Sequence, residues 1–335
     1  MKQITMRAFF GIVFTSACAF SSVDAAPKTP TQAEQDYVVG SLVSQCMVAK
    51  CQIFRGFILT DFPHPGTPEV VRVQEWLYGT SAKETVEVPY EDDSAGHSTK
   101  DGIYRLADTW RRVSAAQNTS VTVVQKLDNL LGRAGEPTLI TSDDRQVRLI
   151  RSLIEGEHYF KGSPDAIKQA VESLAQTPNP ALAGFLDLYI TFHLNPSSPD
   201  LAAQLRFEMI GSDSLPRVMF FSIAGALSGN YSGLSKSGKA TLVQNLNRLV
   251  NRFAASQNPK PIDASAALAG AYALQGIVKF DHEVASITDP SVRVALAKAY
   301  VGLVRNREMG RMDTLEAELA VSPTDLKTDP NQQNK

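Results

Sequence analysis

Residues 289–303 read DPSVRVALAKAYVGL, and this stretch decides how the second half of the chain is interpreted. Its apolar residues recur at steps of three and four, which is the spacing of one buried face of an α-helix. They are Val292, Ala295, Leu296, Ala299 and Leu303. Asp289 is a capping side chain that precedes a proline at the first helical position, where a backbone N–H is not needed. The pattern therefore predicts a helix that begins at Pro290.

Similar apolar stripes recur between positions 142 and 321, so this region is interpreted as a succession of helices. Other members of the set include Val147, Ile150 and Ile154, then Ile167, Val171 and Leu174, then Leu242, Leu246, Val250 and Phe253. Further helix starts are predicted at Pro180, Pro216 and Pro261. The steps from Pro180 to Pro216 and from Pro216 to Asp263 bracket the period of two-helix repeats. We expect residues 142–321 to form an all-α, helical-repeat-like array.

Residues 51–135 have a different composition, rich in β-branched and aromatic residues separated by turn signals. The alternation seen at Val86 and Val88 is typical of a strand with one buried face. The predicted strands are 51–59, 69–78, 84–90 and 120–127. The proline-rich segment 62–68 is incompatible with a central strand, and 91–102 is interpreted as a polar loop.

Together the two patterns predict an α+β protein, with a small antiparallel β barrel-like N-terminal domain followed by an all-α helical-repeat-like domain. The predicted domains are a signal peptide (1–25), an N-terminal helix (26–50), the small β domain (51–135), the helical array (142–321) and a disordered tail (322–335). The tail is polar and has no periodic apolar set, which favours disorder.

Two resemblances accompany these patterns. Residues 289–303 resemble the second-helix pattern of HEAT-type repeats, in which an Asp-x-x-Val-Arg start precedes an Ala/Leu stripe. The motif covers one helix, and the resemblance implies an α-solenoid or compact helical array that acts as a protein-binding scaffold. The segment 70–79, VVRVQEWLYG, followed by VEVP at 86–89, is similar to small OB-like or netrin-like barrels of exported proteins.

The N-terminus has the composition of a secretory signal. Lys2 and Arg7 precede the uncharged apolar run 8–20, which is too short to span a bilayer. Val23 and Ala25 occupy the small-residue positions of a cleavage site, which predicts cutting after Ala25 and a periplasmic or secreted mature chain. A retained membrane anchor is the alternative interpretation.

A second alternative concerns Cys18. The sequence TSAC at 15–18 resembles a lipoprotein processing site, although Thr15 stands where such sites favour an aliphatic residue, so a lipid anchor is disfavoured. No transmembrane segment is expected after removal of the signal, because the longest later apolar stretch, 218–227, is too short.

Composition limits the classes of function. The chain has 335 residues, 33 Lys+Arg, 35 Asp+Glu and a hydrophobic fraction of 43%. This apolar content is enough for a sizeable core and excludes wholesale disorder or a small disulfide-stapled module. A near-neutral charge balance also argues against a nucleic-acid partner, which would require a basic face.

Cys46 and Cys51 are the two thiols left after signal removal, an even number in an oxidising compartment. We predict a disulfide between them. Residues five apart in one helix are about 7.5 Å apart along its axis, so the bond requires the helix to break near Lys50. Two buried free thiols, or a catalytic or metal-binding thiol, are the alternatives.

One loop gathers residues able to bind a metal ion. Glu91, Asp92, Asp93 and His97 offer carboxylate and imidazole ligands for calcium or zinc. Their spacing matches no EF-hand, so a solvated hairpin tip is the favoured interpretation. We assign no metal site, cofactor or catalytic residue from the sequence.

Other chemical motifs are incomplete. The segment 233–240, GLSKSGKA, lacks the Ser or Thr that follows the lysine of a phosphate-binding loop, and is interpreted as an interhelical loop. Carboxylates adjoin histidine at 155–158 and 281–283, where surface or capping roles are favoured because sequence neighbours on a helix point apart. His193 is expected to be half-buried near a helix C-terminus.

These observations predict an exported protein that acts as a protein-interaction or envelope scaffold module. The alternative is a metal-dependent or other hydrolase whose site lies between the β and helical domains. Trp76, Trp110 and Tyr104 are the aromatic candidates for a partner surface, each with a partial core role as its alternative. Phe220 and Phe221 are expected in the helical core.

Overall fold

A computed structural model describes residues 31–49, 51–59, 69–88, 101–114, 117–126, 144–160, 163–284, 287–306 and 308–320. The chain divides into two compact units, Pro27–Leu194 and a second that includes Asn195–Lys335. In the described ranges, no helix combines the length and the apolar character needed to cross a membrane. The predicted signal peptide, Cys18, the loop with Glu91, Asp92, Asp93 and His97, and the predicted tail lie outside the described residues.

The described segments of the first unit contain four α-helices and five strands. Its elements are α1 (Gln32–Ala49), β1 (Gln52–Ile58), β2 (Glu69–Tyr78), β3 (Thr85–Val88), β4 (Asp101–Ser114), β5 (Gln117–Lys126), α2 (Asp144–Phe160), α3 (Pro164–Gln176) and α4 (Pro180–Tyr189). A π-helical turn, Ile190–Leu194, follows α4 directly.

The five strands form one antiparallel sheet in the order β3-β2-β1-β4-β5. The central strand β1 pairs Phe54 with Trp76 of β2 on one side and with Tyr104 of β4 on the other. The sheet is open, so the antiparallel β prediction is confirmed while the barrel-like closure is not shown. Strand β4 was not among the strands predicted from the sequence.

The buried side of the sheet is a small apolar cluster. Phe54, Val71 and Val86 are buried, and Val73 and Trp76 pack against them. The ring centroids of Phe54 and Trp76 lie 5.2 Å apart. Trp76 is therefore half-buried and contributes to the core of the sheet.

Helix α1 crosses α4 at a pair of glycines. A Cβ atom on Gly40 would overlap the carbonyl oxygen of Ala181 and lie 2.8 Å from the amide nitrogen of Phe185. A Cβ atom on Gly184 would lie 2.8 Å from the carbonyl carbon of Tyr37. The two backbones touch because neither glycine has a side chain, which is the physical reason for glycine at both positions.

The predicted disulfide between Cys46 and Cys51 is confirmed. Their Cα atoms lie 4.8 Å apart, and both residues are buried. Helix α1 ends at Ala49 and β1 begins at Gln52, so the helix breaks where the bond requires it. The bond fastens the end of α1 to the central strand.

In the described part of the second unit, all of the secondary structure is helical. Its elements are α5 (Pro199–Met209), α6 (Arg217–Gly229), α7 (Lys236–Ala255), α8 (Pro261–Val278), α9 (Pro290–Arg305) and α10 (Asp313–Leu319), with a short 3₁₀ turn at Tyr231–Gly233. The predicted start at Pro290 is confirmed: Asp289 accepts a hydrogen bond from the Ser291 amide at 2.8 Å and caps α9.

Contacts between helix ends define the direction of each helix. Asp200 binds Ser235, which joins the starts of α5 and α7. Tyr231 donates to Asp281, which joins the segments that follow α6 and α8. Arg217 pairs with Glu308, at the start of α6 and after the end of α9. Successive helices from α5 to α9 therefore run antiparallel.

The main packing contacts join each helix to the next, or to the next but one. Helices α5, α7 and α9 form one layer, and α6, α8 and α10 form the other. Alanine-rich α8 has the largest buried fraction among the helices of this unit, and the Gly276 backbone approaches Ser228 of α6. Phe220 and Phe221 are buried in α6, so their predicted core positions are confirmed.

Candidate functional site

An aromatic ladder runs along the end of α4. The rings of Phe185 and Tyr189 stack with centroids 5.4 Å apart, and the rings of Tyr189 and His193 stack at 4.2 Å. Phe160 of α2 packs beside Phe185 at 5.4 Å. Tyr189 is only 4% exposed, whereas His193 is exposed, so the ladder leads from the core of the first unit to an imidazole at its surface.

The π-helical turn determines where the imidazole lies. The hydroxyl of Thr191 donates to the carbonyl oxygen of Asp187 at 2.7 Å, within the change from α-helix to π-helix. Such turns insert one residue per helical turn and are common at functional sites. Here the turn keeps His193 stacked over Tyr189 at the end of the helix.

Glu157 of α2 is the charged partner of this ladder. Burial lowers the pKa of His193, and the negative charge of Glu157 acts in the opposite direction. Burial and Glu157 together raise the pKa of Tyr189, and the same two causes raise the pKa of Tyr78 at the end of β2. Glu157 thus acts electrostatically on groups from β2, α4 and the π-helical turn.

This cluster can perform acid–base chemistry in principle. A neutral imidazole near a carboxylate is able to accept a proton, and the two phenols are hydrogen-bond donors. His193 lies near a helix C-terminus, as the sequence predicted, and its ring stacks on Tyr189 while the residue as a whole is exposed. Its relationship with Glu157 was not predicted, because it depends on how α2 packs against α4.

The segment 233–240 nearly matches a phosphate-binding loop. In the structure it is hydrogen-bonded to a carboxylate of the chain itself, that of Asp200. Ser235 is the N-cap of α7, with its hydroxyl accepting a hydrogen bond from the Gly238 amide at 3.0 Å. Asp200 accepts hydrogen bonds from the Ser235 amide, at 2.9 Å, and from the Ser235 hydroxyl. These bonds lower the pKa of Asp200. The predicted interhelical loop is therefore only partly correct: Leu234 and Ser235 connect the 3₁₀ turn to α7, and residues 236–240 are the first residues of α7. The N-terminus of this helix already faces a negative charge.

A second polar cluster lies at the same end of the second unit. The hydroxyl of Tyr231 donates to Asp281 at 2.9 Å, and the Nζ atom of Lys239 lies 5.1 Å from the centroid of the Tyr231 ring. Burial and the bond to Asp281 raise the pKa of Tyr231 to about 12. Phe280, adjacent to this cluster, is 76% exposed.

The sequence candidates are only partly within the described residues. His64 and the predicted metal-binding loop lie outside them, as do the side chains of Trp110 and Tyr104. Among the residues whose placement is described, no group of three or more His, Cys, Asp or Glu could hold a metal ion. Asp281 accepts from Tyr231 and from the Glu283 amide, in agreement with the predicted capping role.

Comparisons with protein-family models, curated proteins and solved structures give no significant match to the chain. The functional proposal therefore depends on the two units and the clusters within them.

Proposed function

We propose that the chain is an exported protein-interaction or envelope scaffold module that acts in the periplasm or is secreted. The packing of the second unit is the observation that carries this proposal. In the second unit the main contacts of each helix are with the next helix or the next but one along the chain, which is the contact pattern expected of a repeat protein. Such arrays offer extended surfaces to partners.

The finer parts of the proposal follow from the sequence resemblances. The second unit would be a HEAT-like array, and the sheet of the first unit a barrel-like module. The partner would be a protein or another envelope component and not a nucleic acid, because the charge of the chain is close to neutral.

Export is supported by the N-terminal composition and by the Cys46–Cys51 disulfide. Disulfides persist in oxidising compartments and are rare in the cytosol. Both sulfur-bearing residues are buried, which suits a structural bond rather than a redox-active one.

Crosslinking in the native envelope tests the proposal. We expect a reproducible partner, with crosslinks that map to the second unit. Phe280→Ala should reduce recovery of a partner that binds near the end of α8, and Lys279→Ala, an exposed neighbour, is the matched control. The proposal fails when no partner is recovered. Hydrolysis of an ester, peptide or phosphate by the pure chain, lost on chelation, would then favour a metal-dependent hydrolase.

A hydrolase is the second candidate, favoured by the electrostatic coupling of Glu157, Tyr189 and His193. In this case His193 would accept the proton of an attacking nucleophile, and Glu157 would stabilise the imidazolium. A panel of ester, peptide and phosphate substrates tests this candidate. Loss of turnover in His193→Ala, with turnover kept in His282→Ala, would support it; equal turnover in both variants would exclude His193.

A further inference from the structure

Helices α7 and α9 have an unusual charge composition. α7 contains four basic residues and no acidic residue, and α9 contains three basic residues and no acidic residue. The whole chain has 33 basic and 35 acidic residues, so positive charge is concentrated on these two helices. The residues are Lys236, Lys239, Arg248, Arg252, Arg293, Lys298 and Arg305.

The two helices present this charge on one side of the second unit. Both pack on α8 and on each other, within one layer. Their buried residues face that contact: Leu242, Leu246, Val250 and Phe253 in α7, and Val292, Leu296 and Tyr300 in α9. Their exposed residues must therefore lie on the side away from α8. We call the exposed side chains of Arg248, Arg252 and Lys298 the basic face.

The ion pairs described in this unit lie elsewhere. Arg217 pairs with Glu308, and Arg311 pairs with Glu316. Within the basic face, Arg248 contacts the amide oxygen of Asn245 at 3.5 Å, a neutral partner. Positive charge that is not used for internal ion pairs adds little to folding stability, and it remains available to a negatively charged partner.

We propose that the basic face docks an acidic segment of a partner protein. This inference rests on the proposed scaffold function and names the chemistry of the partner. Arg248 and Arg252 are four residues apart, about 6 Å along the helix, a spacing that suits successive carboxylates. Guanidinium groups bind carboxylates through two parallel hydrogen bonds, and the neighbouring amides of Gln244 and Asn251 add donors.

The surroundings of the basic face favour a protein over a membrane. A helix that lies on a membrane inserts an apolar face, and the apolar faces of α7 and α9 are buried. Among the described residues of these two helices, the exposed large apolar side chain is Val294. A nucleic-acid surface would require a strongly basic unit, whereas acidic Asp200, Asp281 and Glu283 belong to this unit as well.

Binding of a poly-glutamate peptide to the full chain tests the inference. A labelled peptide of about ten residues, when extended, matches the ~30 Å length of α7. Fluorescence anisotropy should detect saturable binding at about 50 mM salt that weakens as salt is raised. Arg248→Glu with Arg252→Glu should weaken binding by about tenfold or more, and the neutral pair Arg248→Gln with Arg252→Gln should weaken it less.

The matched control reverses two exposed basic residues on helices of the first unit, Arg148→Glu with Lys168→Glu. This pair changes the net charge equally and should alter affinity by less than about twofold. Equal loss in both double variants, or no saturable binding by the wild type, overturns the inference. Tighter binding to phosphatidylglycerol vesicles or to a single-stranded oligonucleotide than to the peptide also overturns it.

The same variants separate this inference from the proposed function. If crosslinking recovers the same partner with Arg248→Glu/Arg252→Glu as with the wild type, the basic face is not the docking surface while the scaffold function stands. If the wild type recovers no partner, the scaffold function itself fails. Loss of the partner in this variant alone, with an acidic segment of the partner crosslinked to α7, supports both.

Discussion

The backbone at Gly40 of α1 touches the carbonyl group of Ala181 in α4, with no room for a methyl group between them. The reciprocal approach of Gly184 to Tyr37 makes this a crossing of two helices at backbone contact. Such a crossing can be reached only when both positions lack a side chain. It fixes how α1, which is tied to the sheet by the disulfide, packs against α4 and its aromatic ladder.

Gly40→Ala should therefore destabilise the first unit. The new methyl group would force the helices apart, and overpacking of this kind costs about 1–3 kcal/mol or more. Gly156→Ala in α2 is the matched control, because its Cβ would meet the Phe160 ring at an ordinary 3.6 Å. That control should be neutral, or stabilising by up to about 1 kcal/mol through helix propensity. Urea unfolding measures both, and equal stabilities for the two variants would contradict the crossing.

A buried hydrogen bond joins the same two helices. The hydroxyl of Tyr37 donates to Asp187 at 2.7 Å, and both residues are at least 91% covered, with exposures of 4% and 9%. Tyr37→Phe removes a donor from this carboxylate and should cost about 1.5–3 kcal/mol in urea unfolding. Tyr272→Phe, at a half-buried tyrosine of α8, should change stability by less than about 0.5 kcal/mol.

The pH dependence of this bond has a definite sign. Burial first, and then Asp187, raise the pKa of Tyr37 well above its ordinary value of 10.0. The folded chain holds the phenolic proton more tightly than the unfolded chain, so this stability is present below pH 10 and is lost as the pH rises further. Above pH 10, the free energy of unfolding of Tyr37→Phe should therefore fall less than that of the wild type.

The Cys46–Cys51 bond should stabilise the first unit by about 2 kcal/mol, because it closes a short loop in the unfolded chain. Double substitution of both cysteines by alanine, compared with the oxidised wild type in urea, measures this contribution. Thiol titration of a denatured variant that lacks residues 1–25, and with them Cys18, should detect no reactive thiol before reduction and two after it. Two thiols before reduction would contradict the bond.

Local sequence signals predicted local structure well. Asp289 before Pro290 predicted the start of α9, since a carboxylate cap and a proline each have a specific place at a helix N-terminus. Strand β4 was not predicted, because charged residues such as Arg105 and Asp108 interrupt its apolar pattern. The strand is paired with β1 on one side and β5 on the other, and local composition does not indicate this pairing.

Long-range relationships could not be predicted in the same way. The repeat pattern begins near position 142, yet α2, α3 and α4 belong to one compact unit with the sheet, because their apolar faces pack within it. The charge of Glu157 acts on the imidazole of His193 only because this packing brings the two residues together. The basic face, in contrast, was visible in the sequence as two helices without an acidic residue, a signal that a search for catalytic motifs does not detect.

The titration of His193 provides the last prediction. Its pKa in the folded chain lies below the ordinary value of 6.5, so the unfolded chain binds a proton more readily. The stability associated with neutral His193 is therefore complete above about pH 6.5 and is lost as the pH falls. In urea unfolding between about pH 8 and 5, the wild type should lose more stability than His193→Gln, and the difference between them isolates this residue from the other histidines.

NMR titration of the imidazole separates the two causes of the shift. Glu157→Gln removes the negative charge that favours the imidazolium, so the pKa of His193 should fall further. Glu155→Gln, at an exposed position on the same helix, should leave it unchanged. A rise in Glu157→Gln, or equal shifts in both variants, would mean that Glu157 does not act on His193, and the acid–base interpretation of the cluster would lose its physical basis.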